Sequence, residues 1–217
     1  TLFKFIFFLR YLFGIFFISA VLFLIIPHFF DYKKKDAVIK NLLLESYGLK
    51  LKDYENIKYN SLPKPNIEIQ NITAGIGADS IQLNAVSLRI YPRLLNIYNY
   101  VSFKVNKIIL NESTILLTDT NPKILINYIY KTEKKVSFKN LNLKINKNNS
   151  SVINLKKINF DNYGYSKNII TGELFNKKFK ILIGDNYNKI NFKLFETGVT
   201  AEIDLNENQN ESLIKGV

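Results

Sequence analysis

The most constraining feature of the sequence is an alternation of apolar and polar residues that recurs from Leu49 almost to the end of the 217-residue chain. Asn66-Ile67-Glu68-Ile69-Gln70-Asn71-Ile72 alternates, as do Ser80-Ile81-Gln82-Leu83, Ser87-Leu88-Arg89-Ile90 and Val101-Ser102-Phe103-Lys104-Val105. Val136/Phe138, Leu141/Leu143/Ile145, Ile153/Leu155 and Ile158/Phe160 keep the period of two. The cleanest runs come last: Phe179/Ile181/Ile183, Ile190/Phe192/Leu194 and Val199/Ala201/Ile203/Leu205. Gly184-Asp185-Asn186 and Glu196-Thr197-Gly198 punctuate them. Period two with turn punctuation predicts a mainly β chain, a meandering antiparallel sheet with one apolar and one polar face.

An apolar sheet face must be covered. After Gly48 the one helix candidate is Asn121 to Tyr130, so the sheet either closes on itself as a sandwich or curls into an open groove. Periodicity alone leaves both open.

Ahead of the sheet, Phe5 to Phe30 is almost wholly apolar, with Arg10 the charge inside it. A helix of about 20 residues spans a bilayer core, and an arginine two turns from its start can snorkel to the headgroups. A cleaved signal peptide would have a shorter apolar region and an Ala-x-Ala-like site, which does not follow Ile26. We therefore expect a single transmembrane anchor over 1–32. Lys4 and Arg10 on one side face Lys33-Lys34-Lys35 on the other, so charge alone does not fix its orientation.

A basic linker and short amphipathic helix are expected over 33–48. Asp36 is a candidate N-cap, Val38, Ile39, Leu42, Leu43 and Tyr47 share one face, and Gly48 suits the left-handed C-terminal position. The β-rich domain follows over 49–217. The chain begins at Thr1 and stops at Gly216-Val217 after a polar run, which reads as a piece of a longer protein with an unfinished sheet edge near Leu205.

Composition narrows the chemistry. The chain has no cysteine and one histidine, which excludes disulfides, thiolate metal sites and histidine clusters. The formal net charge of +12 comes from lysines scattered along the chain, without the clustering of a binding patch. Phe179-Lys180 and Phe192-Lys193 interleave ring and charge, but alternation sends them to opposite faces, so they make no stacking platform for nucleic acid.

No catalytic constellation emerges. His28 ends the apolar run and reads as an interfacial residue. Glu202 and Asp204 share the face opposite Ala201 and Ile203, a solvent surface. Gly75-Ile76-Gly77 lacks a third glycine and reads as a loop, and Asp185 belongs to a turn. Asn-x-Ser/Thr sequons at Asn71, Asn111 and Asn210 are expected by chance in so asparagine-rich a chain. We expect no enzyme, cofactor or metal site.

Between Leu49 and Leu117 lie Tyr59-Asn60-Ser61-Leu62-Pro63-Lys64-Pro65, the strand Asn66 to Ile72 ending in Asn71-Ile72, and Ala85-Val86-Ser87-Leu88-Arg89-Ile90. Pro92-Arg93-Leu94-Leu95 follows, then Val105-Asn106-Lys107-Ile108-Ile109-Leu110-Asn111-Glu112-Ser113 and Ile115-Leu116-Leu117. With the preceding apolar and amphipathic helices, this resembles the N-terminal region of the AsmA family of Gram-negative bacteria. There a Pro-x-Pro segment precedes a strand ending in Asn-Val/Ile, and a Leu-Leu step follows. Glu112-Ser113 stands where the family often has a proline, and Asn127-Tyr128 replaces its frequent Asn-Trp.

The resemblance implies an inner-membrane helix with the C-terminal part in the periplasm. It also implies a role in phospholipid transport to the outer membrane and in its assembly, by acyl chains sliding along an apolar β-groove. Phe179, Ile181, Ile183, Ile190, Phe192, Leu194, Val199, Ala201 and Ile203 are the lining candidates. Membrane lipids and envelope proteins are the expected partners. Two other readings stay open at this point: a membrane-anchored scaffold with a closed sandwich, and an envelope enzyme whose site lies beyond Val217.

Overall fold

The computed structural model describes residues 2–77, 80–98, 103–118, 122–147, 150–164, 168–184, 189–204 and 213–216. Val101-Ser102, Asp185-Asn186, Leu205 and the sequon at Asn210 lie outside them, and Phe103-Lys104, expected in a strand with Val105, precede the strand, which begins at Val105. The chain opens with helix α1 (Leu2–Ile25), continued by a 3-10 turn over Ile26–Phe29. The apolar window within Lys4–Phe29 is long enough to cross a membrane, and none of it is buried among the described residues.

Helix α2 (Asp36–Tyr47) follows, and Gly48 closes it in the left-handed conformation at φ 60°. Ile39, Leu43 and Tyr47 are buried, with Val38 and Leu42 packed beside them, as the helical spacing predicts. Asp36 is the first helical residue, not the cap. Its carboxylate accepts a 2.7 Å hydrogen bond from the Tyr54 hydroxyl and pairs with Lys40 one turn on at 2.9 Å. A negative charge here also complements the positive end of the helix dipole.

The strands are β1 (Leu49–Asp53), β2 (Asn56–Asn60), β3 (Asn66–Ile76), β4 (Ile81–Pro92), β5 (Val105–Thr118) and β6 (Val136–Lys147). Then come β7 (Ser150–Asp161), β8 (Ile169–Leu174), β9 (Lys177–Gly184), β10 (Lys189–Leu194), β11 (Thr200–Asp204) and β12 (Leu213–Gly216). All belong to one open sheet of order β1-β3-β4-β5-β6-β7-β8-β9-β10-β11-β12, with β2 also paired to β3. Gly75 and Ile76, expected in a loop, complete β3, and only Gly77 turns, at φ 61°.

The pairing departs from a consecutive antiparallel meander in two places: β1 and β2 both pair with β3, and β5 and β6 run parallel. A parallel neighbour needs a crossover. Helix α3 (Pro122–Lys131), foreseen over Asn121 to Tyr130, lies in that crossover. Leu125 of α3 is buried, and Ile124, Tyr128 and Ile129 pack against the core. The face of β3 to β5 is therefore covered: Ile67, Ile69, Ile90, Ile108 and Leu110 are all fully buried. Burying each such side chain contributes about 1.5–3 kcal/mol.

A second feature shapes the sheet. In β3 the apolar positions run Ile67, Ile69, then Ile72, Ala74, Ile76, so the phase of alternation slips by one. The same slip follows Ala85 in β4 and Leu110 in β5. It follows Phe138 in β6 and Leu155 in β7. Four of these slips contain a residue in the left-handed conformation: Asn71 (φ 49°), Glu112 (φ 47°), Asn140 (φ 56°) and Lys157 (φ 51°). The ladder registers set them opposite one another to within one or two residues, a seam that crosses the sheet from β3 to β7. Asparagine side chains take up backbone donors there: Asn159 Oδ1 accepts from the Asn140 N–H at 3.1 Å, and Asn142 Oδ1 from the Lys157 N–H at 3.4 Å. From β3 to β6 the slips face one another one for one and the register is unbroken across them. It shifts, as at a β-bulge, between β6 and β7 and between β7 and β8, and bulges bend a strand and raise its twist. A sheet of this many strands needs such bends if it is not to flatten or split.

Candidate functional site: an apolar row across the sheet

The registers place one apolar row across the sheet. Ile57 pairs with Ile69, Ile69 with Leu88, Leu88 with Leu110, Leu110 with Phe138 and Phe138 with Phe160. Phe160 pairs with Ile170, Ile170 with Ile181, Ile181 with Phe192 and Phe192 with Ala201. Directly paired residues share a face, so this ladder crosses ten strands without a polar interruption. At about 4.8 Å per strand it is about 40 Å long.

The row changes character along its length. Ile69, Leu88, Leu110, Phe138 and Phe160 are buried, whereas Ile170, Ile181, Phe192 and Ala201 are half-buried. Helices α2 and α3 belong to the first part. Toward β11 the apolar side chains pack on one another, Phe179 against Phe192 among them.

The structure brings the nine lining candidates together on one face. Phe192 lies between Ile181 and Ala201, and Ile190 between Ile183 and Ile203. Leu194 pairs with Phe179, and its N–H donates to the Val199 carbonyl at 3.0 Å. They are not equivalent, however. Phe179 is 2% exposed and Ile183 is 8% exposed, so these two belong to the core, while Val199 at 47% is open to solvent. The Phe179 ring lies over Gly172 of β8, where a Cβ would stand 2.8 Å from two ring carbons. Its centroid is 6.1 Å from that of Phe192.

Sequence reasoning missed Ile170 of β8, which continues the row, and Leu143, Leu155 and Leu174, which form a parallel row beyond the seam. All four pack partly buried against the core. Leu143 and Leu155 stand in alternating runs already visible in the sequence, whereas Ile170-Thr171-Gly172-Glu173-Leu174 alternates over too short a stretch, with a glycine inside it, to stand out. The nearest cleft, about 600 Å³, opens mainly on the other face, among Lys180, Leu182, Asn191, Lys193, Phe195 and Glu202, with Phe192 and Ala201 at its border. Lys193, Phe195 and Glu202 are exposed, as alternation requires.

No protein-family model matches the chain, and no curated protein does either.

On the polar face, the strongest electrostatic feature is Glu68, 7% exposed in β3. Lys58 and Arg89 stand directly across from it on β2 and β4. Arg89 Nε donates to it at 3.0 Å, Lys58 Nζ approaches to 3.2 Å and Asn60 Nδ2 donates at 3.1 Å. Burial alone would raise the carboxyl's pKa, but these hydrogen bonds and the Arg89 charge outweigh it and hold the pKa below its ordinary value. A depressed carboxyl contributes stability above its unfolded pKa of about 4.3 and loses it as pH falls through the folded value. Glu68→Gln is therefore expected to cost about 1–2 kcal/mol at pH 7. That gap should close in urea unfolding repeated below pH 4, and a gap that stayed constant would show that the carboxylate's charge contributes nothing.

Proposed function

We propose that the chain is an AsmA-like, membrane-anchored envelope protein that conducts phospholipid acyl chains along the apolar face of its sheet. In this reading α1 is the single inner-membrane anchor and the sheet lies in the periplasm, contributing to phospholipid transport toward the outer membrane and to that membrane's assembly. The observation that carries it is the apolar row over ten strands, buried at the helix-covered end and half-exposed from β8 to β11. A closed sandwich would have sealed that face, whereas the sheet is open.

The mechanism is passive. Each methylene taken from water is worth about 0.8 kcal/mol. Successive strands offer the next apolar side chain about 4.8 Å away, so a chain moves sideways without losing its contacts. Headgroups stay in water. The accessible stretch starts at Ile170, because the row before it is filled by the protein's own core. Ile181, Ile190, Phe192, Leu194, Val199, Ala201 and Ile203 are the contact residues, and Phe179 and Ile183 support them from beneath. No bond is made or broken, so no catalytic group is required.

Photo-crosslinking in the intact membrane-inserted protein tests this. A photoreactive residue replaces Phe192 in one variant and its outward neighbour Lys193 in another, and adducts are read by mass spectrometry. Phospholipid adducts at 192 and none at 193 are expected. A folded protein without adducts at either position would overturn lipid carriage and leave a membrane-anchored scaffold.

A further inference from the structure

The end of α1 is clasped by the sheet. The Tyr98 hydroxyl donates to the Phe23 carbonyl in the last turn of α1, and the two rings lie 4.9 Å apart. Phe30 meets Tyr98 edge-on at 5.6 Å. His28 sets its ring edge-on to Tyr59 at 4.9 Å, and its Nε2 is 3.3 Å from Ser61 Oγ. Tyr32, buried, donates to the Pro27 carbonyl at 2.8 Å and stacks on Tyr59 at 6.2 Å. These contacts hold two segments at the level where the apolar span ends: the β2–β3 loop, and the 3-10 turn Leu94–Tyr98 after β4.

What this rim presents is distinctive. Phe29 is 83% exposed and Leu62, at the tip of the β2–β3 loop, is 74% exposed. Lys33 and Lys34 follow Phe29 within five residues and Lys64 follows Leu62 by two, all three exposed, and Asp31 lies 3.9 Å from Lys34. Single exposed apolar residues need no explanation, but two at the end of an apolar span, followed in the chain by cations and backed by tyrosines, have the make-up of a bilayer interface.

We propose that this rim is a membrane-seating surface: Leu62 and Phe29 dip into the acyl boundary while Lys33, Lys34 and Lys64 meet anionic lipid headgroups. The inference rests on α1 being a membrane anchor, and the span's continuity with the rim chooses the lipid surface as occupant. Charge complementarity selects anionic headgroups. Seating would fix the angle at which the sheet leaves the bilayer, because the clasp of Tyr32, Tyr59 and Tyr98 ties rim to helix.

The absence of cysteine lets one introduced thiol carry one label. The full chain is reconstituted in phosphatidylcholine/phosphatidylglycerol vesicles, with an environment-sensitive fluorophore at Leu62→Cys, Val86→Cys or Phe16→Cys. Val86 is exposed, on the seam, and Phe16 is mid-helix. Lipids with a nitroxide near the headgroup should quench the label at 62 at least two-fold more than that at 86. Lipids with a deep nitroxide should quench the label at 16. Removing phosphatidylglycerol should lessen quenching at 62, and unchanged quenching would overturn the role given to the cations. A label at 62 that behaves like that at 86, with 16 still quenched, would overturn seating and leave the anchor standing. An unquenched label at 16 would remove the anchor, and seating with it.

Discussion

A Phe179→Ala variant is expected to lose about 3–5 kcal/mol of unfolding free energy, the range for deleting a buried phenylalanine. Val199→Ala, at the outer end of the same apolar face, should lose less than about 1 kcal/mol, as exposed substitutions do. The contrast follows from burial: Phe179 is 2% exposed and Val199 is 47% exposed. Phe179 also fills a particular place. Its ring covers Gly172, which leaves that strand without a side chain of its own, and an aromatic ring over a cross-strand glycine compensates for the missing contacts. Truncation would open a cavity bounded by Gly172, Phe192 and the neighbouring row. Phe192→Ala, half-buried, should fall between the two. Urea unfolding of the full chain in detergent micelles gives the three values. Equal losses at 179 and 199 would mean that the face is open from β9 onward and that Phe179 lines the groove.

Much of the fold was legible because alternation is a direct imprint of a sheet face on sequence. The strands at Phe179/Ile181/Ile183 and Ile190/Phe192/Leu194 fall where period two puts them, and Gly48 closes α2 as its left-handed tolerance suggests. Three things were hidden. A break in the alternation reads as a strand end, so Val136/Phe138 and Leu141/Leu143/Ile145 look like two strands. They are the two halves of β6, joined through Asn140. Strand direction has no local signature, and the parallel β5–β6 pair is visible only once Pro122–Lys131 is known to be a crossover helix. Register is likewise non-local. That Phe160 faces Ile170, and Ile170 faces Ile181, depends on turn lengths and on the seam, so the row across ten strands could not be assembled from single runs. The clasp at Tyr59 and Tyr98 joins residues far apart in sequence to the end of α1, beyond the reach of any local pattern.

If the seam is a built-in bend, substitutions at Glu112 should rank in the reverse of the usual order for a strand. Glu112 sits in mid-β5 at φ 47°, exposed, with β4 on one side and β6 on the other. An L-residue in the left-handed region costs about 1–2 kcal/mol, and a β-branched one fits there least well. Glycine adopts that conformation freely but gives back about 0.5–1 kcal/mol through its greater unfolded-state entropy. Glu112→Gly should therefore be neutral to stabilising by up to about 1 kcal/mol, and Glu112→Val should cost about 1–2 kcal/mol. At Lys144, an exposed position of β6 outside the seam that pairs with Leu116 and Asn154, ordinary strand preference applies. There valine should exceed glycine by about 1 kcal/mol. The measurement is the valine-minus-glycine difference at each site from urea unfolding, and its sign is expected to invert between 112 and 144. The same sign at both would mean that Glu112 bears no left-handed strain. The bend would then have to come from strand twist alone, and the curvature that turns an open sheet into a groove would no longer be written in residues 71, 112, 140 and 157.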